Sequence, residues 1–277
     1  MNIRKDRLKI VMGGIAVCLC MACGGNDPKD YWGDIDNGGK EEPTENPNAS
    51  KPRYIWIDAA ANFPDFANSK ENIARDLTLA KDAGFTDIVV DVRPTTGDVL
   101  FKTNVVEQVK FMYAWIGSNY TKIERTATWD YLQAFVDEAR KQGLRIHAAI
   151  NTFVGGNQID GGTGLLYRDQ SKAEWATQMN TQAGIVSVMN TGESTKFLNP
   201  AHPKVQTFLC DLLKDLASYD LDGIFLDRGR FLDLQTDFSE ESRKQFEEYM
   251  GGIRIQNYPD DILLPGTASL PATYPKY

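Results

Sequence analysis

Asp222-Gly-Ile-Phe-Leu-Asp-Arg-Gly-Arg-Phe231 is the stretch on which the reading of this chain turns. A short strand-forming run, Gly223 to Leu226, leads straight into a carboxylate, Asp227, and then into Arg228 and Arg230 on either side of a glycine. In an α/β barrel the chemistry sits where parallel strands end, on the loops that lead into the helices. A carboxylate with two cations at such a place suits a site that stabilises developing positive charge and grips hydroxyl-rich ligands. The same composition also fits a surface ion pair, since structural pairs perturb carboxylates as functional sites do. Arg228 and Arg230 are expected to pair with Asp227 and hold it as the anion.

Working outward, strands and helices alternate from Arg53 onward, which predicts an α/β fold with a parallel sheet. Strands are expected near 54–57, 86–92, 144–150 and 222–227, adjacent in sequence order and joined by right-handed crossovers. Between them lie helical patterns. One starts at Asn68, with Glu71 three residues on, and buries Ile73, Leu77 and Ala80. One starts at Thr128 and buries Leu132, Phe135, Val136 and Ala139; one opens at Pro203 and buries Val205, Phe208, Leu209, Leu212, Leu213 and Leu216. A last helix starts around Asp237-Phe-Ser-Glu240. The long segments, 95–127, 152–199 and 228–238, all follow strands, whereas the returns are as short as Gly84-Phe-Thr86. Such asymmetry belongs to an enzyme that builds a cleft at the C-terminal ends of its strands.

The N-terminus carries an address. Basic Arg4, Lys5, Arg7 and Lys9 precede an apolar run, Ile10 to Leu19, too short to span a membrane, and Cys20-Met-Ala-Cys23 closes it. This resembles a bacterial lipobox, which makes 1–23 a lipoprotein signal and Cys23 the acylated first residue of an exported protein at the outer membrane or cell surface. An ordinary signal peptide cut nearby is the alternative. Residues 24–52, rich in Gly, Pro and acids, read as a disordered tether. A formal net charge of −8 argues against nucleic acid as a partner. Cys210, on an apolar helix face, reads as a buried structural thiol.

Three separated motifs, Val92-Arg-Pro-Thr-Thr-Gly-Asp-Val-Leu100, Leu198-Asn-Pro-Ala-His-Pro203 and Tyr219-Asp-Leu-Asp-Gly-Ile-Phe-Leu-Asp227, occur in order. Together they resemble the glycosyl hydrolase-like 10 family over about residues 53–262. The resemblance implies a (β/α)8 TIM-barrel fold and hydrolysis of O-glycosidic bonds in a polysaccharide or oligosaccharide, often by exported lipoproteins. Asp227 matches the first of two acids that members often carry in a row; Arg228 stands where the second would be. Four strands are used by Asp227, and the remaining chain is too short for four more strand–helix units. The domain at 53–277 is therefore expected to be the N-terminal half to two-thirds of a barrel, truncated at its C-terminus.

The candidate catalytic carboxylates are Asp227 and Asp91. Asp91 and Arg93, two positions apart in a strand, are expected to share a face and form a buried pair at the mouth, for positioning or for structure. Candidate substrate-binding residues are Arg93, Asp98, Asn151, His147, Arg228, Arg230 and Asp58. Each has a structural alternative: Asp98 a turn, Asn151 a loop cap, His147 a satisfied wall residue and Asp58 a loop anchor. His202, between two prolines, reads as a helix-entry residue. Tyr113, Trp115, Tyr120, Phe153, Tyr167 and Trp175 fall in the long segments, either as sugar platforms or as local cores. No metal-ligand spacing and no phosphate loop is present, so no cofactor is expected. Two function classes follow: a glycoside hydrolase working by paired carboxylates, and an inert surface protein that binds glycan.

Overall fold

The computed structural model describes residues 51–267 and 269–271. The signal, Cys23 and all but the end of the tether lie outside the described residues. Strand β1 (Tyr54–Ile57) leads through the one-turn helix α1 (Phe63–Phe66) to α2 (Lys70–Asp82) and β2 (Asp87–Arg93). A hairpin, β3 (Phe111–Ile116) and β4 (Asn119–Glu124), precedes α3 (Tyr131–Gln142) and β5 (Arg145–Asn151). The next excursion holds β6 (Val154–Asn157), α4 (Leu165–Arg168), β7 (Gln178–Thr181), β8 (Gly184–Ser187) and β9 (Thr195–Phe197). Then come α5 (Pro203–Leu216), β10 (Gly223–Asp227) and α6 (Glu240–Tyr249).

Strands β1, β2, β5 and β10 form one parallel sheet in that order, as the alternation predicts. The sheet is open: the described residues do not close an eight-stranded barrel. The two long excursions add three small antiparallel pairs, β3–β4, β6–β9 and β7–β8; polar and glycine-rich composition concealed the last two in the sequence. The helices α2, α3 and α5 cover one face of the sheet. Their stripes, Ile73 and Leu77, Leu132 and Phe135, Leu209 and Leu212, join Ile88, Val90, Ile146 and Ala148 in a single core. Each fully buried leucine or isoleucine contributes roughly 1.5–3 kcal/mol to folding.

Two helix starts lie one or two residues beyond the expected caps. Ser69, not Asn68, caps α2 by accepting from the amide of Asn72, and Asp130, not Thr128, caps α3 through Gln133. Asn68 serves a longer-range contact: its side chain binds the carbonyl of Glu124 and the amides of Thr126 and Ala127. His202 does cap α5, its Nδ1 accepting from the amide of Lys204. Gly143 ends α3 in the left-handed region (φ 65°), which a residue without Cβ adopts cheaply. Cys210 on α5 is half-buried rather than buried.

Candidate functional site

The parallel register stacks side chains in rows on the face the helices leave uncovered. Tyr54, Asp87 and Arg145 form the lowest row. Trp56, Val89, His147 and Gly223 form the next, then Asp91, Ala149 and Phe225. Asn151 and Asp227 form the top row at the C-terminal end. Asp58 follows β1 directly. The sequence reading thus places Asp91, Asn151 and Asp227 together on one rim, and the fold brings them there.

Asp91 is 7% exposed. Its Oδ1 accepts from the amide of Arg93 at 3.1 Å, and Asn151 Nδ2 lies 3.5 Å from its Oδ2. Burial pushes its carboxyl up to about 7; the charges of Asp58 and Asp227 push the same way, against the amides of Arg93 and Ala59. Asp227 is exposed at the strand end. Its Oδ1 accepts from the amide of Arg228 at 2.7 Å, and its carbonyl accepts from the amide of Thr152 at 2.7 Å.

The expected Asp91–Arg93 side-chain pair does not form, and the reason is a β-bulge. Asp91 pairs with Ala149, but Arg93 pairs with Ile150, so two residues of β2 oppose one of β5. The alternation slips by one and Arg93 turns to the helix-covered face, its guanidinium over the ring of Phe208 in α5. There it is fully buried and donates to the carbonyls of Asn151, Thr152 and Val154. Burial lowers its pKa to about 10. Arg93 therefore shapes the β5–β6 turn from behind the sheet and does not face the cleft.

Other candidates are occupied elsewhere. Neither arginine forms an ion pair with Asp227 among the described residues. Arg228 takes a left-handed backbone (φ 46°), and Arg230 Nη1 donates to the carbonyls of Phe231 and Leu232. The left-handed turn at Arg228 redirects the chain after β10, and the Arg230 guanidinium is spent on carbonyls of its own loop. Asp98 gives both oxygens to Arg168, so this buried clamp ties α4 to the turn after β2 instead of presenting a free acceptor. Asp58 accepts from the amides of Ala60 and Ala61 at 2.8 and 2.7 Å and so anchors the β1–α1 loop. His147 is a wall residue: its Nε2 lies 2.8 Å from Asp87 Oδ1, and its ring contacts Tyr54 and Phe225. Four residues of strand, about 13 Å, separate it from Asn151.

Sequence reasoning missed two groups. Asp87 has no exposed surface and collects Arg145, Thr86 and His147. Its position opposite Arg145, each opening its strand, was the available signal. Tyr131, at the start of α3, buries a hydroxyl with no hydrogen-bond partner. Burial raises its pKa, and the charges of Asp91 and Asp58 add to the effect. Its only signal was an aromatic where a helix enters the core.

The model of the family described as glycosyl hydrolase-like 10 matches residues 51–262. An S-layer-related protein from Niallia circulans is 30% identical over 223 residues, which is 78% of this chain and 13% of that protein. Among solved structures, alpha-L-fucosidase isoenzyme 2 from Paenibacillus thiaminolyticus is similar at TM-score 0.47 and 19% identity, over 73% of this chain and 26% of that one. A hypothetical protein from Ruminiclostridium thermocellum is similar at TM-score 0.42 and 15% identity, over 72% of this chain and 89% of that one.

Proposed function

The chain belongs to the glycosyl hydrolase-like 10 family, and from that premise we propose that it hydrolyses O-glycosidic bonds of a polysaccharide or cell-wall glycan by carboxylate chemistry. The observation that supports this most is the contrast between Asp91 and Asp227 on one face. Asp91 is buried, and burial keeps its proton to about pH 7; Asp227 is open to solvent at the strand end. A glycosidase needs one carboxyl that protonates the leaving oxygen and one carboxylate facing the oxocarbenium-like carbon. We assign the first role to Asp91 and the second to Asp227. The amide of Arg93 holds Asp91 Oδ1, and Asn151 Nδ2, 3.5 Å from Oδ2, orients the carboxyl from the other side. The open sheet we read as one arc of a (β/α)8 barrel, because all four parallel strands run in sequence order with helices on one face. A crystal structure of the whole gene product with the outer edge of β1 unpaired would overturn that.

Asp227→Asn tests the assignment in the full-length protein with a panel of chromogenic glycosides and cell-wall glycans. The expected outcome is a 10²- to 10⁴-fold loss of turnover, with an unchanged melting curve and retained glycan affinity. Unchanged turnover would make Asp227 structural. A second reading, a surface glycan-binding protein without activity, is favoured by one feature: Arg228 stands directly after Asp227. A wild type that binds glycan but hydrolyses none would select it. We also propose export and lipid anchoring at Cys23, supported by the basic, apolar and cysteine-containing order of residues 4–23. Cys23→Ala should move the protein into the soluble fraction; a mutant still in the membrane fraction refutes the anchor.

A further inference from the structure

The hairpin of β3 and β4 has an inverted character. Alternation sends Met112 and Ala114 into the core. The other face of β3, where a solvated strand normally carries polar residues, is Phe111, Tyr113 and Trp115. Tyr120 of β4 joins them opposite Trp115. Trp115 is 66% exposed and Tyr120 54%.

These rings are not loose. Tyr113 and Tyr120 are stacked, with centroids 5.3 Å apart and planes at 29°, and Trp115 leans on Tyr120 at 5.2 Å and 44°. At the base, Phe111 meets Tyr113 edge-on at 6.1 Å, and Lys122 Nζ lies 3.8 Å over the Phe111 ring. A polar border runs beside the column. The hydroxyl of Tyr113 donates to Asp160 Oδ1 at 2.6 Å, and Lys122 donates to the other oxygen of Asp160. Asp160 belongs to the excursion after β5 and holds a left-handed backbone (φ 52°). The hairpin is thus fastened to the segment that follows Asn151, and both excursions leave the sheet at the end where Asp91 and Asp227 sit.

We propose that Trp115 and Tyr120, with the Tyr113–Asp160–Lys122 network beside them, form a glycan-stacking platform that holds a polysaccharide chain next to the carboxylate rim. This rests on the glycan reading above and extends it to a second contact area. A pyranose ring has an apolar C–H face and an equatorial belt of hydroxyls. Flat rings whose bodies are apolar, bordered by a hydroxyl, a carboxylate and an ammonium, complement both parts. Pre-stacking removes most of the ordering cost that a free tryptophan would meet on binding. A lipid surface fits less well: it asks for an apolar tip with basic flanks, whereas Asp160 and Glu124 border this one and the chain carries formal net charge −8. An uncharged glycan meets no such opposition.

The test uses the full chain and its Trp115→Ala and Trp115→Ala/Tyr120→Ala variants. These are depleted from solution by purified peptidoglycan sacculi, insoluble xylan and starch granules, with phosphatidylglycerol-containing vesicles in parallel. Both substituted side chains are mostly exposed, so melting curves should coincide with wild type. We expect wild type to be retained on at least one glycan, Trp115→Ala to weaken retention about tenfold, equivalent to 1.4 kcal/mol, and the double variant to weaken it further. Trp115→Phe should restore part of it. Retention equal in all variants, no retention of wild type on any glycan, or a Trp115-dependent gain on vesicles or in self-association would each overturn the platform. The hydrolase reading is scored separately with chromogenic glycosides. Trp115-dependent retention without hydrolysis keeps the platform and removes the hydrolase; hydrolysis without such retention does the reverse.

Discussion

Asp87 and Asp91 lie four residues apart on one strand, point to the same face, and are both buried, yet they hold their protons differently. Burial disfavours the anion at Asp87, but Arg145, Thr86 and His147 outweigh it, and the carboxyl sits at about 2. Burial also disfavours the anion at Asp91, which forms no ion pair among the described residues, and the charges of Asp58 and Asp227 add to it; the carboxyl sits at about 7. Both side chains are shut from solvent, but Asp91 lies in the denser surroundings, and its desolvation is the first cause of the difference. The number and charge of donors is the second cause. The lower end of the face is a satisfied ion-pair cluster that serves the fold, while the upper end keeps an acid in need of a partner. On the proposed reading this is the division between stability at one end of a barrel and chemistry at the other.

The largest expected break in that comparison is in turnover. Asp91→Asn should lower it 10²- to 10⁴-fold, the range for a lost general acid, while Asp87→Asn should stay within a few-fold of wild type. Equal losses from both would mean that fold damage, not chemistry, sets the rate. Next comes stability against pH, followed by urea midpoints. Asp91 is raised in the folded state from an ordinary value near 3.8, so folding takes up its proton between about pH 4 and 7. Stability from this group is full below that window and falls as pH rises through it. Asp91→Asn should therefore flatten the decline and stabilise the protein above pH 7, by up to about 4 kcal/mol at 1.36 kcal/mol per tenfold change. Asp87 has the opposite sign. Its contribution is present above about pH 4 and is lost as pH falls towards 2, so Asp87→Asn should lower stability above about pH 4 and flatten the acid limb. The smallest effect belongs to Arg145→Met. Arg145 is 52% exposed, and its pair with Asp87 is worth no more than about 1 kcal/mol. A larger loss would show that the buried end of this pair, and not its exposed cation, sets what the contact is worth.

Much of the frame was legible because it rests on periodicity. Ile73 and Leu77, or Leu209 and Leu212, fall at helical spacing and could only be buried on one side. The four parallel strands are mostly apolar, and their order followed from short returns between them. What the sequence concealed lay where local rules compete. Ser69 and Asn68 are adjacent and chemically similar caps, and the choice depends on Asn68 reaching residues 56 or more positions away. Asp98 reads as a free turn acid until Arg168, 70 residues on, folds against it. Arg228 and Arg230 stand beside Asp227 in sequence, but a left-handed turn separates neighbours in the chain from neighbours in space. Phe153 and Trp175 are buried while Trp115 and Tyr120 are exposed, a division among aromatics that composition does not make.

The bulge at the end of β2 has a further meaning. One extra residue makes the sheet a partition: a carboxylate on one side, a guanidinium two positions away on the other, and a layer of backbone between them. Strict alternation would place the two in one compartment, where they would neutralise each other and leave a proton with no tendency to stay. With its cation turned away, the acid is left to burial and to the charges of Asp58 and Asp227, which hold its proton to about pH 7, and the displaced cation is reused as a rivet for the next turn.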